Sequence, residues 1–147
     1  MADSIERTVT IASSVDRVWN SLTDHEEFGA WFGVELDGPF VVGETSTGHI
    51  SFKGNEIAWN AMIVAIEPMT RFAYTWHPYA VDPSIDYSTE TPTLVEFHLK
   101  PASDGTILTV IESGFERIPS HRREEALRMN MGGWTAQIEN IRCHVED

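Results

Sequence analysis

The sequence predicts an α+β fold, in which a curved antiparallel β-sheet wraps around one long C-terminal α-helix. From Glu35 to Phe115 the apolar residues recur mostly at every second position, as in half-buried strands. After Pro119 they recur at spacings of three and four, as on one face of a helix. Strands in a run followed by a helix are typical of α+β proteins. Because six or seven consecutive strands twist and curl, we expect a pocket between the sheet and the helix.

The chain begins with a strand and the first of two short helices. Residues 4–11 alternate between apolar and polar side chains, which predicts a strand. Ser13 and Asp16 match a capping box at the start of a helix. The apolar face of this helix is formed by Val15, Val18, Trp19 and Leu22.

A second short helix follows directly. Asp24 is the predicted N-cap, with Glu27 as its capping-box partner, and Gly33 is the predicted end. Its apolar side consists of Phe28, Trp31 and Phe32.

Six further strands and one long connection are predicted. The strands lie near 37–43, 47–53, 56–66, 70–77, 93–100 and 106–113. The connection from His77 to Pro92 is longer than a hairpin turn, so it is either a binding element or a solvated surface excursion.

The last segment predicts a helix of about 25 residues that starts near Ser120. Its apolar stripe consists of Leu127, Met131, Trp134, Ile138, Ile141 and Val145. The pair Gly132-Gly133 interrupts good helix formers, which indicates a close backbone approach, a bend or space kept open beside Trp134. The alternative is a poorly optimised helix.

Composition limits the class of protein. A length of 147 residues suits one domain, 1–147, and the net charge of −13 argues against binding to nucleic acid or to an anionic membrane. Cys143 is the only cysteine, so we expect neither a disulfide nor a multi-thiolate metal site. The N-terminus lacks the pattern of a signal peptide and no apolar run is long enough to span a membrane, which predicts a cytoplasmic protein.

Searches for catalytic and cofactor motifs are negative. The stretch His25-Glu26-Glu27-Phe28 begins like a zinc-protease motif, but Gly29 stands where the second His is needed. There is no Gly-rich phosphate loop and no Gly-x-Ser-x-Gly elbow. We therefore predict no cofactor and no metal site.

Several stretches of the sequence together resemble a known family. They are DRVW at 16–19, WFG at 31–33, EP at 67–68 with RFAYTW at 71–76, VEFHL at 95–99, GT at 105–106, ESGF at 112–115 and GW at 133–134. In this order and spacing, over about residues 6–141, they resemble the activator of heat-shock-protein-90 ATPase homologue family, within the START-like helix-grip (SRPBCC) superfamily. The resemblance implies a helix-grip fold with an internal cavity, which in many relatives binds apolar small molecules and in some polyketide cyclases is the site of catalysis. Because the eukaryotic co-chaperones add an N-terminal domain and this sequence starts at the first strand, we do not expect a chaperone-activating role.

Alternation within the predicted strands, and the stripe of the last helix, indicate which side chains line the cavity. The set is Phe32, Phe72, Tyr74, Trp76, Val95, Phe97, Leu99, Val110, Glu112, Leu127, Met131 and Trp134. Glu112 is unusual because a carboxylate on an apolar face is costly unless it is paired or hydrated. It is either a polar group for a ligand or a residue at the cavity mouth. The same side chains could instead form a plain core, with Trp76 and Trp134 filling the interior.

The leading hypothesis is a module that binds a small apolar or aromatic molecule. One alternative is a cyclase-type or hydrolase-type enzyme, for which Glu112, Tyr74 and His77 are weak catalytic candidates. Another is an interaction protein whose acidic surface meets a basic or chaperone partner. The sequence is compatible with a monomer or a homodimer.

Overall fold

A computed structural model, which describes residues 4–52 and 54–146, contains a seven-stranded antiparallel sheet and a long C-terminal helix. The strands are β1 Ser4–Ile11, β2 Val34–Leu36, β3 Thr45–Phe52, β4 Asn55–Glu67, β5 Arg71–Trp76, β6 Thr93–Ala102 and β7 Gly105–Ser113. The helices are α1 Val15–Thr23, α2 His25–Phe32 and α3 Ser120–Glu146, with short 3-10 turns at Tyr87–Thr89 and Phe115–Arg117. The strand order is β1-β7-β6-β5-β4-β3-β2. The predicted α+β architecture, with a curved sheet and a long last helix, is confirmed.

The core lies between the sheet and the helices. α3 packs against β1, α1 and α2, and Trp134 on α3 lies against aromatic rings of the sheet. Its ring centroid is 6.0 Å from that of Trp76 on β5 and 5.7 Å from that of Phe97 on β6. Aromatic pairs at such separations add to the hydrophobic gain of burying the rings. These contacts fix where the helix crosses the sheet.

The predicted strand at 37–43 is wrong. The strand that follows α2 is β2, Val34–Leu36, and the chain then turns through a loop. Pro39 has no N–H to give to a ladder, and Phe40 is buried as a loop residue instead. The centroid of the Phe40 ring lies 5.3 Å from that of Phe28 and 5.1 Å from that of Phe72. Phe40 therefore attaches the loop to the core.

The other five predicted strands of the run are present with bounds within two residues of the prediction. Lys53, the predicted last residue of the strand at 47–53, lies outside the described residues.

The caps of the two short helices differ in part from the prediction. Ser14, not Ser13, caps α1, because its Oγ accepts the N–H of Arg17 at 3.3 Å. Asp24 caps α2 by accepting the N–H groups of residues 26 and 27. The Glu27 side chain does not complete a capping box, because its carboxylate instead accepts hydrogen bonds from Arg17 and Ser21. Gly33 ends α2 in the left-handed conformation (φ 90°), as predicted.

The buried stripe of α3 is displaced from the predicted one. Trp134, Ile141 and Val145 are buried and Leu127 and Ile138 are partly buried, but Met131 is exposed. The stripe passes instead through Ala126 and Asn130, at the four-residue spacing that leads to Trp134. Asn130 occupies this inward position because its amide contacts a buried carboxylate on the sheet.

The glycine pair in α3 does not mark a close approach. The helix continues through Gly132 and Gly133, both exposed, and apart from the chain neighbours and the adjacent helix backbone no described atom lies within 4 Å of where a Cβ would stand. The close backbone approach is therefore wrong, whereas a bend, space kept open beside Trp134 and a poorly optimised helix stay predictions.

Glu27 joins the three helices. Its Oε1 accepts hydrogen bonds from Arg17 Nη1 at 2.5 Å and Ser21 Oγ at 3.2 Å, and lies 3.0 Å from His144 Nε2 on α3. Burial by itself raises the Glu27 pKa, but the hydrogen bonds from Arg17 and His144 outweigh burial and lower the pKa to about 2.

We predict that Glu27→Gln lowers the free energy of unfolding by about 1–2 kcal/mol at pH 7, because hydrogen bonds to an ionised acceptor are lost. The pKa falls from 4.5 to about 2 on folding, so this stabilisation is complete above the unfolded pKa and is lost as pH falls through the folded pKa. Urea unfolding at pH 7 and pH 3 should thus show a smaller difference between wild type and variant at pH 3. Glu26→Gln, in the same helical turn but exposed, is the control. A difference that stays constant with pH would contradict the role given to Glu27.

Candidate functional site

A cleft of about 270 Å³ opens between the sheet, the end of α2 and α3. Its walls are mainly apolar and aromatic, and its polar side chains carry no formal charge when His77 is neutral. The lining residues are Phe32, Ile50, Ile57, Ala58, Trp59, Asn60, Trp76, His77, Tyr79, Ala80, Val81 and Gln137. An apolar concavity with a few polar groups is typical of small-molecule sites.

The loop after β5 supplies one wall of this cleft, and Arg122 on α3 holds the loop in place. The guanidinium donates from Nε to both Glu90 carboxylate oxygens at 3.0 Å and from Nη1 to the Pro78 carbonyl at 2.8 Å. It also lies 4.7 Å from the centroid of the Tyr87 ring. The Arg122 and Glu90 side chains are each only 11 % exposed, so this pair is shielded from solvent. Arg122 therefore holds the loop near both of its ends, at Pro78 and at Glu90.

Two short turns order the middle of the same loop. Asp82 Oδ1 accepts the Ser84 hydroxyl at 2.7 Å and its N–H at 2.9 Å, and Asp86 Oδ1 accepts the Ser88 hydroxyl at 2.6 Å and its N–H at 3.0 Å. These hydrogen bonds from the serines lower the pKa of both aspartates. The segment from His77 to Pro92 is thus structured, and its first residues, from His77 to Val81, form the wall of the cleft.

Behind the cleft lies a buried carboxylate, Glu112 on β7, which is 0 % exposed. Its Oε1 accepts hydrogen bonds from Asn130 Nδ2 and Trp134 Nε1, each at 2.8 Å. Its Oε2 accepts from Trp76 Nε1 at 2.7 Å and from the Thr93 hydroxyl at 2.5 Å. We call this set the Glu112 centre. Since an indole nitrogen can only donate, both oxygens must act as acceptors, which suits an ionised carboxylate.

No ion pair with Glu112 is found in the described part of the chain, so neutral donors hold it. A buried charge is costly unless it is paired and hydrogen-bonded. Donors from β5, β6 and α3 meet this requirement together, so the Glu112 centre ties the helix to the sheet. Glu112 does not lie at the cavity mouth.

Tyr74 and His77 each carry a buried polar atom without a hydrogen-bond partner among the described residues, the Tyr74 hydroxyl and His77 Nδ1. Burial, together with the negative charge of Glu112, raises the Tyr74 pKa well above its usual value. Burial lowers the His77 pKa, which Glu90 raises and Arg122 lowers further. His77 is therefore neutral at pH 7.

The residues that the sequence predicts to bind a ligand lie in different places: some line the cleft, some lie on α3, and most are in the core. Phe32 and Trp76 line the cleft. Leu127 is partly buried and Met131 is exposed on α3. The other predicted residues are buried in the core: Phe72, Tyr74, Val95, Phe97, Leu99, Val110, Glu112 and Trp134. Of the three catalytic candidates, His77 lines the cleft, whereas Tyr74 and Glu112 lie in the interior.

Sequence reasoning missed most of the cleft. Trp59, Ile57 and Ile50 were not among the predicted lining residues, and neither were Tyr79 and Val81 of the loop. The alternation in β4 carries a signal for Trp59, because it shares a face with the buried Ala61 and Ile63. Tyr79 and Val81 lie in a loop without a regular alternation of side chains, so no pattern in the sequence points to their place in the cleft.

Two other kinds of feature are not found in residues 4–52 and 54–146. No group of three or more His, Cys, Asp and Glu side chains is arranged to hold a metal ion. None of the helices there combines the length and apolar character that crossing a membrane requires.

Comparison with protein families identifies a family for this chain. The family model described as activator of Hsp90 ATPase homolog 1-like protein matches residues 12–146. No functionally curated protein matches the sequence significantly.

Solved structures share the fold at low sequence identity. DynU16, a protein of the dynemicin biosynthetic locus, superposes with a TM-score of 0.75 at 23 % identity, and the match covers 99 % of this chain but 48 % of DynU16. This chain therefore spans about half the length of DynU16. A protein from Chromobacterium violaceum gives 0.77 at 18 % identity over 100 % of this chain and 99 % of its own. One described as an Aha1 dimer, from Colwellia psychrerythraea, gives 0.72 at 16 % identity over 99 % and 97 %. These structures confirm the helix-grip fold.

We predict that Arg122→Gln loosens the loop without unfolding the protein, since the variant loses the shielded ion pair with Glu90 and the contact with the Pro78 carbonyl. Hydrogen exchange of residues 78–90 should become at least about tenfold faster, while exchange in β6 and β7 stays unchanged. Arg128→Gln, at an exposed position of α3, should change neither region. Unchanged exchange at 78–90 in Arg122→Gln would show that the Arg122 contacts are not needed to hold the loop.

Proposed function

We propose that this chain, which belongs to the activator of Hsp90 ATPase homolog 1-like family, binds a small apolar or aromatic molecule in the cleft beside Trp76. The observation that carries the proposal is the cleft itself, about 270 Å³ with aromatic walls. That volume is near the lower end of the range for small-molecule sites and suits a compact ligand. The likeness to DynU16, from a biosynthetic locus, supports a small molecule as the ligand.

The polar groups of the cleft indicate that the ligand is uncharged. Asn60 and Gln137 are amides, and His77 is neutral at pH 7 because burial lowers its pKa. With no cationic side chain in its lining, the cleft offers nothing to neutralise an anion. The net charge of −13 adds a general repulsion of anions.

Binding is better supported than catalysis. A cyclase-type or hydrolase-type reaction that uses Glu112 as a base needs a free carboxylate oxygen within reach of the substrate. Both oxygens already accept two hydrogen bonds each, and Glu112 does not line the cleft. His77 lines the cleft, but its Nδ1 has no hydrogen-bond partner and it forms no ion pair with a carboxylate in the described residues.

The wall residue Val81 provides a test. We predict that Val81→Trp narrows the cleft and weakens binding of a compact aromatic compound at least about tenfold, because the added indole takes ligand space at a fully apolar contact. A panel of uncharged one-ring and two-ring aromatic compounds is titrated by calorimetry against wild type and variant. Val42→Trp is the matched control, since Val42 is exposed and lies outside the cleft lining. Equal affinity of Val81→Trp and wild type would move the site elsewhere, and no binding by wild type across the panel would contradict the proposal.

A further inference from the structure

Trp76 belongs to both the cleft and the Glu112 centre. One face of its indole lines the cleft, and its Nε1–H donates to Glu112 Oε2 at 2.7 Å. Trp76 is partly exposed, whereas Glu112 and Trp134 are buried. It is also the last residue of β5, directly before the loop. Trp76 is thus a partly exposed member of the Glu112 centre that also lines the cleft.

Tyr74 lies in the core next to Trp76. Its ring centroid is 5.5 Å from that of Trp76 and 5.5 Å from that of Trp59, the two indoles that form the cleft wall. Tyr74, Val95 and Glu112 form one row across β5, β6 and β7, so Tyr74 and Glu112 point from the same face of the sheet, two strands apart. Burial and, to a smaller extent, the negative charge of Glu112 raise the Tyr74 pKa.

The Tyr74 hydroxyl is completely buried and has no partner in the described residues. A buried hydroxyl without a hydrogen bond carries a penalty, and such groups are rare in native proteins unless they serve a purpose. Glu112 Oε2 accepts hydrogen bonds from Thr93 and Trp76, and of these two donors Trp76 also lines the cleft. The Trp76 indole thus adjoins both residues, because its ring lies against the Tyr74 ring and its Nε1–H donates to Glu112.

We propose that Trp76 is a displaceable plug and that the ligand is a planar aromatic molecule with a ring hydroxyl, which replaces the Trp76 indole, donates to Glu112 and accepts from Tyr74. This inference rests on the proposed function and names its ligand class. A hydroxyl can donate and accept at once, whereas an indole N–H can only donate. A phenol thus keeps the hydrogen bond that Glu112 loses when Trp76 leaves and gives Tyr74 the partner that it lacks. Its ring takes over contacts with Trp59 and Trp134.

The test compares 2-naphthol with 2-methoxynaphthalene, which has the same rings but no hydroxyl proton to donate. Calorimetry should show 2-naphthol binding to wild type at least about tenfold more tightly, because its hydroxyl replaces the Trp76 hydrogen bond to Glu112 and also accepts one from the buried Tyr74 hydroxyl. In Trp76→Phe the preference should increase, since the phenol no longer displaces an indole N–H. In Tyr74→Phe the affinity for 2-naphthol should fall about fivefold while that for 2-methoxynaphthalene is unchanged.

The Trp76 indole N–H signal in a ¹⁵N–¹H spectrum gives an independent readout. It should leave its hydrogen-bonded position when 2-naphthol is added and stay there with 2-methoxynaphthalene. Equal affinities of the two compounds with an unmoved Trp76 signal would overturn the plug and leave the binding function intact. Absence of binding by either compound, in wild type and Trp76→Phe alike, would overturn both. Tyr74→Phe removes a single hydroxyl, so it keeps the test valid if Trp76→Phe fails to fold.

Discussion

The structure depends on the need to satisfy one buried carboxylate. Glu112 is fully buried between the sheet and α3. Its carboxylate accepts hydrogen bonds from four side chains: Trp76, Thr93, Asn130 and Trp134. Leaving such a group without partners would cost more than most single interactions in a domain contribute. Because the donors come from β5, β6 and α3, satisfying the charge also fixes the crossing point of the helix. The chain has 23 acidic residues, and Glu112 is the fully buried one within the described part.

The position of the cleft follows from this arrangement. Trp76 and Trp134 both donate from their indole nitrogens to Glu112, so their rings lie together between the sheet and α3, with centroids 6.0 Å apart. The cleft lies toward one end, where Trp59 and Phe32 line it together with the loop held by Arg122. The interior and the cleft are thus two parts of one aromatic cluster, divided by a side chain that belongs to both.

Period-two alternation was sufficient to predict most of the sheet, because each strand has one face in the core. It also directed Glu112 inward, as the residue that follows Leu108 and Val110 on the same face. Alternation failed at 37–43, where the apolar Phe40 anchors a loop, since period alone does not distinguish a loop anchor from a strand residue. On α3 the sequence favoured Met131 over Asn130, because the reason for burying an amide is a partner on another element. The cleft was missed for a similar reason: its loop wall depends on Arg122, more than 30 residues away in sequence.

The most direct measurement of the central claim is the ¹⁵N–¹H spectrum of the five indole groups in wild type, with signals assigned by Trp→Phe variants. Trp31 and Trp59 donate to neutral oxygens, the Ser21 carbonyl and the Ser46 hydroxyl, and serve as internal references. If Trp76 and Trp134 donate to the Glu112 carboxylate, their N–H protons should resonate downfield of both references, because charge-assisted hydrogen bonds are shorter and stronger. Both protons should also exchange slowly with solvent. Signals of Trp76 and Trp134 at or upfield of the references, with fast exchange, would contradict the account.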